Sequence, residues 1–213
     1  MSWAERAAAN LLPLSKVKSD LARALHEWRY TGSFNDLEAP VETCQLCDHP
    51  DIRYQFEIRN LITGASLLIG SECINRFGIS ATDDEGNTLD REDSRKKVSH
   101  DRRHLVEEGR KRRVISALVA LAHVDKEFNI LSFIEYLQDR GAFTPKQLST
   151  ILWRLSKHGI GYNPRDFKIT IKRNREKAQL EDMENWERRR LEACLSDSQR
   201  KFLAGLDANR GDN

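Results

Sequence analysis

Three cysteines in the first half of the chain have the types and the spacing of metal ligands. Cys44 and Cys47 form a Cys-x-x-Cys pair, and Cys73 follows in the run IGSECI at 69–74. Two thiolates on a tight turn can converge on one ion, and a third cysteine at the start of a helix can close the site from the other side. The three residues therefore predict a bound zinc ion.

The segment between the cysteine pair and Cys73 must fold back on itself to bring the three thiols together. Residues 52–59 alternate apolar and polar side chains, Thr63 and Gly64 supply a turn, and a second short apolar run follows at 66–69. Period-two alternation on both sides of a turn predicts a β-hairpin. A cysteine knuckle, a hairpin and a cysteine at a helix start form the order of a small zinc finger of the ribbon or treble-clef type.

The fourth ligand is the open question, because a structural zinc site is almost always four-coordinate. Arg76 occupies the position where a treble clef would place its last ligand, and it cannot ligate. We prefer His49, which lies two residues after Cys47 and is close enough to turn toward the same site. His100 and His104 lie four residues apart on a predicted helix and would share a face, and Cys194 could approach only through the fold.

Two other interpretations of the cysteines stay open. They could be ordinary reduced thiols in a small β core, since free cysteine is often buried. That interpretation leaves the close pair beside a hairpin unexplained. A redox Cys-x-x-Cys is expected between a strand and a helix of a βαβ unit, a pattern that the sequence around Cys44 lacks.

Composition favours a soluble cytoplasmic protein with no membrane segment. The 213 residues have room for one sizeable domain or two small ones. The first residues lack a basic leader followed by an apolar core, and the longest apolar stretch, at 114–124, is too short to span a bilayer. Four cysteines, three of them in a metal-like cluster, fit a reducing compartment better than a disulfide scaffold.

The net charge of +2 conceals an asymmetry along the chain. Residues 1–90 carry 8 Lys and Arg against 14 Asp and Glu, whereas residues 91–213 carry 27 against 19, so their net charges are −6 and +8. Such a division suggests that the C-terminal part meets a polyanion.

Periodicity and capping signals predict an α+β fold that is mostly α-helical. Apolar spacing predicts one or two helices over 4–12 and 16–28, one long helix or two joined near Gly109 over 91–124, and further helices over 129–138 and 172–191. Two capping boxes, each a Ser or Thr followed three residues on by Gln, predict helix starts near Pro145 and Asp197. We divide the chain into N-terminal helices at 1–39, the finger at 40–79, an acidic linker at 80–91 and a basic helical region at 92–213.

The basic clusters are the strongest functional signal outside the cysteines. No phosphate-binding glycine loop, His-Glu-x-x-His motif or deaminase signature occurs, which favours a non-enzymatic protein with no small-molecule substrate. Lysine and arginine clusters of this density can neutralise phosphates, although neighbouring glutamates could also pair with them as ordinary helix-surface ion pairs. The candidate nucleic-acid contacts are Lys111, Arg112, Arg113, Lys168, Lys172 and Arg173.

The finger region resembles a module of bacterial, plasmid and phage proteins that have no assigned biochemistry. In that module a C-x-x-C is followed by an I-x-N-x-x-T-G hairpin and a V-G-S-x-C-I close, matched here at 44–49, 53–60, 63–64 and 69–74. The match covers about one-sixth of the chain. The resemblance implies a small metal finger and a possible origin in a mobile element, and it implies no activity.

Two functions follow as expectations. The first is a nucleic-acid-binding accessory protein in which the zinc finger is structural and the basic helices contact the nucleic acid. The second is a protein–protein adaptor or inhibitor that acts on a host complex, for which the acidic N-terminal half would matter. A metal-centred enzyme would require an open coordination position, and we do not favour it.

Overall fold

The computed structural model describes residues 1–211, and for residues 206–211 it describes the backbone alone. The chain divides into two compact units, of which the first is Met1–Gly109 and the second begins at Arg110. Helices account for 54% of the residues, and the first unit contains a small mixed sheet, so the predicted α+β, mostly helical class is confirmed. Within residues 1–211, none of the helices has the length and apolar character that a membrane crossing requires.

The sheet of the first unit has four strands in the order β3-β2-β1-β4. They are β1 (Trp28–Asp36), β2 (Tyr54–Asn60), β3 (Ser66–Ile69) and β4 (Ser80–Ala81). The β2–β3 and β1–β2 pairs are antiparallel, whereas β1 and β4 are parallel. The predicted hairpin is β2–β3, and Gly64 in its turn adopts a φ of 76°, which glycine reaches without strain. The finger is therefore part of a larger sheet and not an isolated two-stranded module.

Three helices complete the first unit before the long helix that follows. They are α1 (Trp3–Leu11), α2 (Leu21–Leu25) and α3 (Ser71–Phe77), with a 3-10 turn at Leu12–Leu14. The prediction of a helix over 16–28 is wrong at both ends, because α2 covers only Leu21–Leu25 and Trp28 opens β1. Trp28 is fully buried and pairs with Asn60 of β2, so strand pairing outweighs the helical spacing of the local apolar residues.

The core of the first unit lies between the sheet and its helices. The ring centroids of Tyr30 and Phe56, both fully buried, lie 5.6 Å apart. The Tyr30 hydroxyl donates a hydrogen bond of 2.8 Å to the buried carboxylate of Asp101. This buried polar pair ties β1 to helix α4, which spans Arg91–Val124.

The acidic stretch at 80–91, predicted as a linker, lies inside the first unit. It contains β4 and an antiparallel bridge between Thr82 and Thr88, and it ends where α4 begins. The boundary between the units follows Gly109, within α4. The composition of the stretch indicates a surface turn, which the structure contains, and the stretch does not separate the two units.

The second unit is helical and has its own apolar core. After the end of α4 come α5 (Leu131–Arg140), α6 (Pro145–Lys157), α7 (Asn174–Glu181), α8 (Asn185–Leu191) and α9 (Asp197–Gly211), with 3-10 turns at Pro164–Asp166 and Glu192–Cys194. The helix predicted over 172–191 is thus two helices. Leu118, Leu121, Phe143 and Leu152 are among the residues buried in this core.

Both capping boxes are confirmed. The Thr144 hydroxyl accepts the Gln147 N–H at 3.3 Å, and the Gln147 side chain accepts the Thr144 N–H at 3.0 Å. Ser196 and Gln199 make the same reciprocal pair at 3.3 and 2.9 Å. Each box satisfies backbone donors that a helix start leaves without partners.

Candidate metal centre

The three predicted cysteines meet in the first unit. Their sulfur atoms all lie within 4.8 Å of one another, and all three residues are buried. Cys73 Sγ lies 3.1 Å from Cys47 Sγ and 3.6 Å from Cys44 Sγ. Three buried thiols at this separation can bind one metal ion.

The Cys-x-x-Cys knuckle is a tight turn closed by its own backbone. The Asp48 N–H donates to the Cys44 carbonyl, and the Cys44 N–H donates to the His49 carbonyl, both at 2.9 Å. Asp48 has a φ of 56°, in the left-handed region that Asp tolerates better than most residues. This turn directs the Cys44 and Cys47 thiols to the same side.

The knuckle is attached to the edge of the sheet. The Gln45 N–H donates to the Leu68 carbonyl at 3.0 Å, and the Gln45 side-chain oxygen accepts the Leu68 N–H at 2.7 Å. Leu68 belongs to β3, the outer strand, so Gln45 satisfies backbone groups that an exposed edge would otherwise present. These two hydrogen bonds fix the position of the knuckle along strand β3.

Helix α3 supplies the third thiol. Gly70 is its N-cap, and Cys73 lies in the first turn of the helix. The Gly70 N–H donates to Cys44 Sγ at 3.5 Å, within the range of a hydrogen bond to sulfur. The β3–α3 junction therefore contacts the knuckle directly.

The pKa values of the three thiols are shifted in different directions. Hydrogen bonding from Cys73, assisted by nearby backbone N–H groups, outweighs burial and lowers the pKa of Cys44 to about 5. The same hydrogen bond to Cys44, together with burial, raises the pKa of Cys73, and burial raises the pKa of Cys47. Cysteine binds metal as the thiolate, so a bound metal ion would displace the protons of the cluster.

The cluster lines a cavity of about 330 Å³ whose walls include Trp3, His49 and Arg76. The Arg76 guanidinium lies 4.1 Å from the centre of the Trp3 ring, and the exposed His49 ring lies 5.6 Å from the same ring. Among the described residues, no His, Asp or Glu has a ligand atom within 4.8 Å of all three sulfurs. His49 therefore lies beside the cluster without joining it, and its role as the fourth ligand stays a prediction.

The other candidate ligands lie elsewhere. His100 contacts Asp101 at 3.3 Å and its side chain is 74% exposed. The His104 and Phe34 rings are in an edge-to-face arrangement with their centroids 6.3 Å apart. Cys194 is buried in the apolar core of the second unit, where burial raises its pKa to about 11.

The predicted basic residues have different roles. The Arg113 guanidinium makes two hydrogen bonds to the Asp166 carboxylate, at 2.7 and 2.9 Å, and so places the 165–168 segment beside α4. Arg112, Lys168, Lys172 and Arg173 are exposed, and Lys111 is partly buried. The ion pair of Arg113 thus connects two basic segments, 110–113 and 165–177, that lie apart in the sequence.

Sequence reasoning missed two exposed tryptophans of the second unit, Trp153 and Trp186. Each carries a basic residue four positions later, Lys157 and Arg190, whose cationic group lies over the indole ring. This i,i+4 spacing on a helix is the signal that could have identified them.

No protein-family model, curated protein or solved structure matches the chain. Function must therefore be inferred from the cysteine cluster and from the surface of the second unit.

Proposed function

We propose that this protein is a non-enzymatic nucleic-acid-binding accessory protein, with a structural zinc ion in the first unit and the nucleic-acid contact surface on the second. The observation that carries the proposal is the Arg113–Asp166 ion pair, which joins the two basic segments.

Zinc is the metal that best suits the cysteine cluster. Three thiolate ligands favour zinc over magnesium or calcium, which prefer oxygen. Cys44 and Cys47 belong to the knuckle and Cys73 to α3, so a bound ion would join these two elements and stabilise the fold there. His49 is the proposed fourth ligand because it already lines the cavity next to the cluster.

Charge supports a polyanionic partner for the second unit. From Arg110 to the end of the sequence the chain has 21 Lys and Arg against 14 Asp and Glu, whereas residues 1–109 have 14 against 19. Arg112, Lys168 and Lys172 are exposed and belong to the two segments that the ion pair brings together. Each phosphate contact would release counterions and make the binding sensitive to salt.

The test is fluorescence anisotropy with labelled DNA and RNA, single-stranded and double-stranded, over a series of salt concentrations. We expect binding at low salt that weakens as salt rises. The double variant Arg112→Gln with Lys172→Gln should weaken binding to all sequences and reduce the salt slope by about two. Arg113 is left intact because its ion pair with Asp166 supports the surface.

The matched control is Lys18→Gln with Arg59→Gln, which removes two exposed charges from the first unit. If both double variants lose the same affinity, net charge and not a surface of the second unit governs binding. If the wild-type protein binds none of the four nucleic acids at low salt, the proposal fails.

A protein–protein adaptor is the second candidate, and the hairpin turn favours it. Leu61 and Ile62 are 62% and 59% exposed at that turn. The turn is nevertheless well anchored, since Asn60 Oδ1 accepts the N–H groups of Ile62 and Thr63, and the Thr63 hydroxyl donates to the Leu14 carbonyl. A rigid apolar tip suits contact with another protein. Affinity purification after nuclease treatment should retrieve a stoichiometric protein that the Leu61→Ser, Ile62→Ser variant loses.

A further inference from the structure

Trp153 on α6 is an exposed aromatic ring with positive charge beside it. It is 42% exposed and is not part of the apolar core of the second unit. Lys157 Nζ lies 5.1 Å from the ring centre, and the Arg154 guanidinium lies 5.8 Å from it. Arg154 also forms an ion pair with Asp125, so this cation has a fixed position. The ring is thus presented to solvent on a helix that the core holds in place.

Trp186 on α8 repeats the arrangement. It is 59% exposed and also lies outside the core, with the Arg190 guanidinium 5.1 Å from its ring centre. Helix α8 is held by the buried Arg188, whose side chain donates to the backbone carbonyls of Leu180 and Glu181 at 3.0 and 2.6 Å. The second unit therefore carries two tryptophan–cation pairs on anchored helices.

Single exposed apolar side chains are normal on a protein surface, so the observation that points to a partner is the repeated pairing of an exposed indole ring with a cation four residues on. The flanking Lys157 and Arg190 and the net positive charge of the unit favour an anionic partner over an apolar one. A ligand that offers flat apolar faces and negative charge together is a nucleic acid with its bases unpaired.

We infer that Trp153 and Trp186 are stacking platforms for the bases of single-stranded nucleic acid, while Lys157 and Arg190 contact the adjoining phosphates. This inference rests on the proposed nucleic-acid function and names its substrate class. In a duplex the base faces are covered by neighbouring base pairs, so the indole rings can stack only on single strands. Stacking is tolerant of sequence because every base has a π face, so we expect little sequence preference.

The experiment compares a labelled oligothymidylate, an oligouridylate and a mixed-sequence DNA duplex by anisotropy at one low salt concentration. We expect the single strands to bind more tightly than the duplex. Trp153→Ala and Trp186→Ala should each weaken single-strand binding by about tenfold, in line with the loss of one base stack. Trp153→Phe and Trp186→Phe keep an aromatic face and should recover most of the affinity. Saturating oligothymidylate should quench the tryptophan fluorescence of the wild type and quench the double alanine variant less.

Both rings lie outside the core, so the variants should stay folded at the temperature of the binding assay, which a thermal melt checks. Duplex affinity equal to single-strand affinity, or unchanged single-strand affinity in the double alanine variant, overturns the inference and leaves the proposed function standing. Absence of wild-type binding to every probe overturns both.

Discussion

Cys73 Sγ and Cys47 Sγ lie 3.1 Å apart although their residues are 26 positions apart in the sequence. The β2–β3 hairpin spans that separation, and Gln45 holds the knuckle on the outer strand. The two sulfurs meet because Gln45 attaches the knuckle to β3 close to the point where β3 leads into α3. A one-residue slip between β2 and β3 would turn the inward-facing side chains of β3 outward and displace α3.

Cys47→Ser should abolish metal binding by the protein as purified. We expect about one zinc per chain in the wild type and close to none in the variant, because two thiolates hold zinc far less tightly than three. Residues 40–79 should then exchange their amide hydrogens faster, whereas α6 of the second unit should keep its protection. Elemental analysis and hydrogen exchange are the measurements.

Cys194→Ser is the matched control, since Cys194 is also a buried thiol but lies in the core of the second unit. It should retain the zinc and lose stability only there. A wild-type protein without metal, or a Cys47→Ser variant with full zinc content, would contradict the proposed centre.

His49→Ala should weaken zinc retention if the imidazole turns from the Trp3 ring toward the cluster. The His49 backbone is fixed by the hydrogen bond from Cys44, and its ring lies beside Trp3, so a ligating imidazole would have to leave that ring contact. X-ray absorption should show Zn–S distances of about 2.3 Å and one Zn–N distance of about 2.0–2.1 Å, the latter lost in the variant. His100→Ala, with an exposed side chain, is the control. Equal zinc affinity in the His49→Ala variant would show that the fourth ligand is a different group.

Glu27→Gln should destabilise the first unit and change its pH dependence. The buried carboxylate accepts the N–H groups of Lys16 and Val17 at 2.7 and 2.8 Å and the Asn60 amide at 2.8 Å. Burial by itself raises the pKa of Glu27, but these hydrogen bonds outweigh it and lower the pKa below the ordinary value of 4.5. The substitution exchanges an ionised acceptor for a neutral amide, and we expect a loss of about 1–3 kcal/mol at neutral pH.

The sign of the pH effect follows from the lowered pKa. The contribution of Glu27 to stability is present in full above about pH 4.5 and is lost as the pH falls through the lower pKa of the folded state. Denaturant unfolding from pH 7 to pH 3 should therefore show a smaller acid loss in Glu27→Gln than in the wild type. Glu42→Gln, at an exposed position, should follow the wild-type curve. Parallel curves for Glu27→Gln and the wild type would exclude this role.

The sequence predicts those features of the site that depend on local patterns. The Cys-x-x-Cys knuckle, the β2–β3 hairpin and the cysteine in α3 each follow from spacing and turn residues, and their meeting is confirmed. Strand β1 was missed because its first residues continue a helical apolar spacing. Pairing with β2 and β4, which lie far away in the sequence, makes this segment a strand.

The basic residues show why charge alone could not identify the contact surface. Arg110 and Arg112 lie two positions apart in one Arg-Lys-Arg-Arg run, yet Arg110 is buried and Arg112 is exposed. A run of like residues on a helix distributes its side chains around the axis, so burial depends on what the helix packs against. The tertiary fold, and not the composition, separates structural arginines from those that face solvent.

Arg110→Ala and Arg112→Ala test the distinction between the buried, structural arginine and the one that faces solvent. The Arg110 guanidinium donates hydrogen bonds to the backbone carbonyls of Asp166 and Gly141, the latter at 2.6 Å. Gly141 is the left-handed C-cap of α5, so Arg110 secures the end of that helix and the 164–166 turn together. Removing it leaves two carbonyls without their donor, at a cost of about 2–4 kcal/mol in the free energy of unfolding. Arg110→Lys should recover part of that loss, because an ammonium group can reach one carbonyl but lacks the planar fork.

Arg112→Ala should cost less free energy of unfolding than Arg110→Ala, because an interaction of an exposed side chain contributes less than hydrogen bonds from a buried one. Its main effect should be weaker nucleic-acid binding. The measurements are denaturant unfolding of each variant and anisotropy at a temperature where both are folded. Both variants remove one positive charge, so a purely electrostatic role for the run predicts equal losses of affinity and no difference in stability. A stable Arg110→Ala variant with the same binding defect as Arg112→Ala would place Arg110 among the contact residues and refute its structural role.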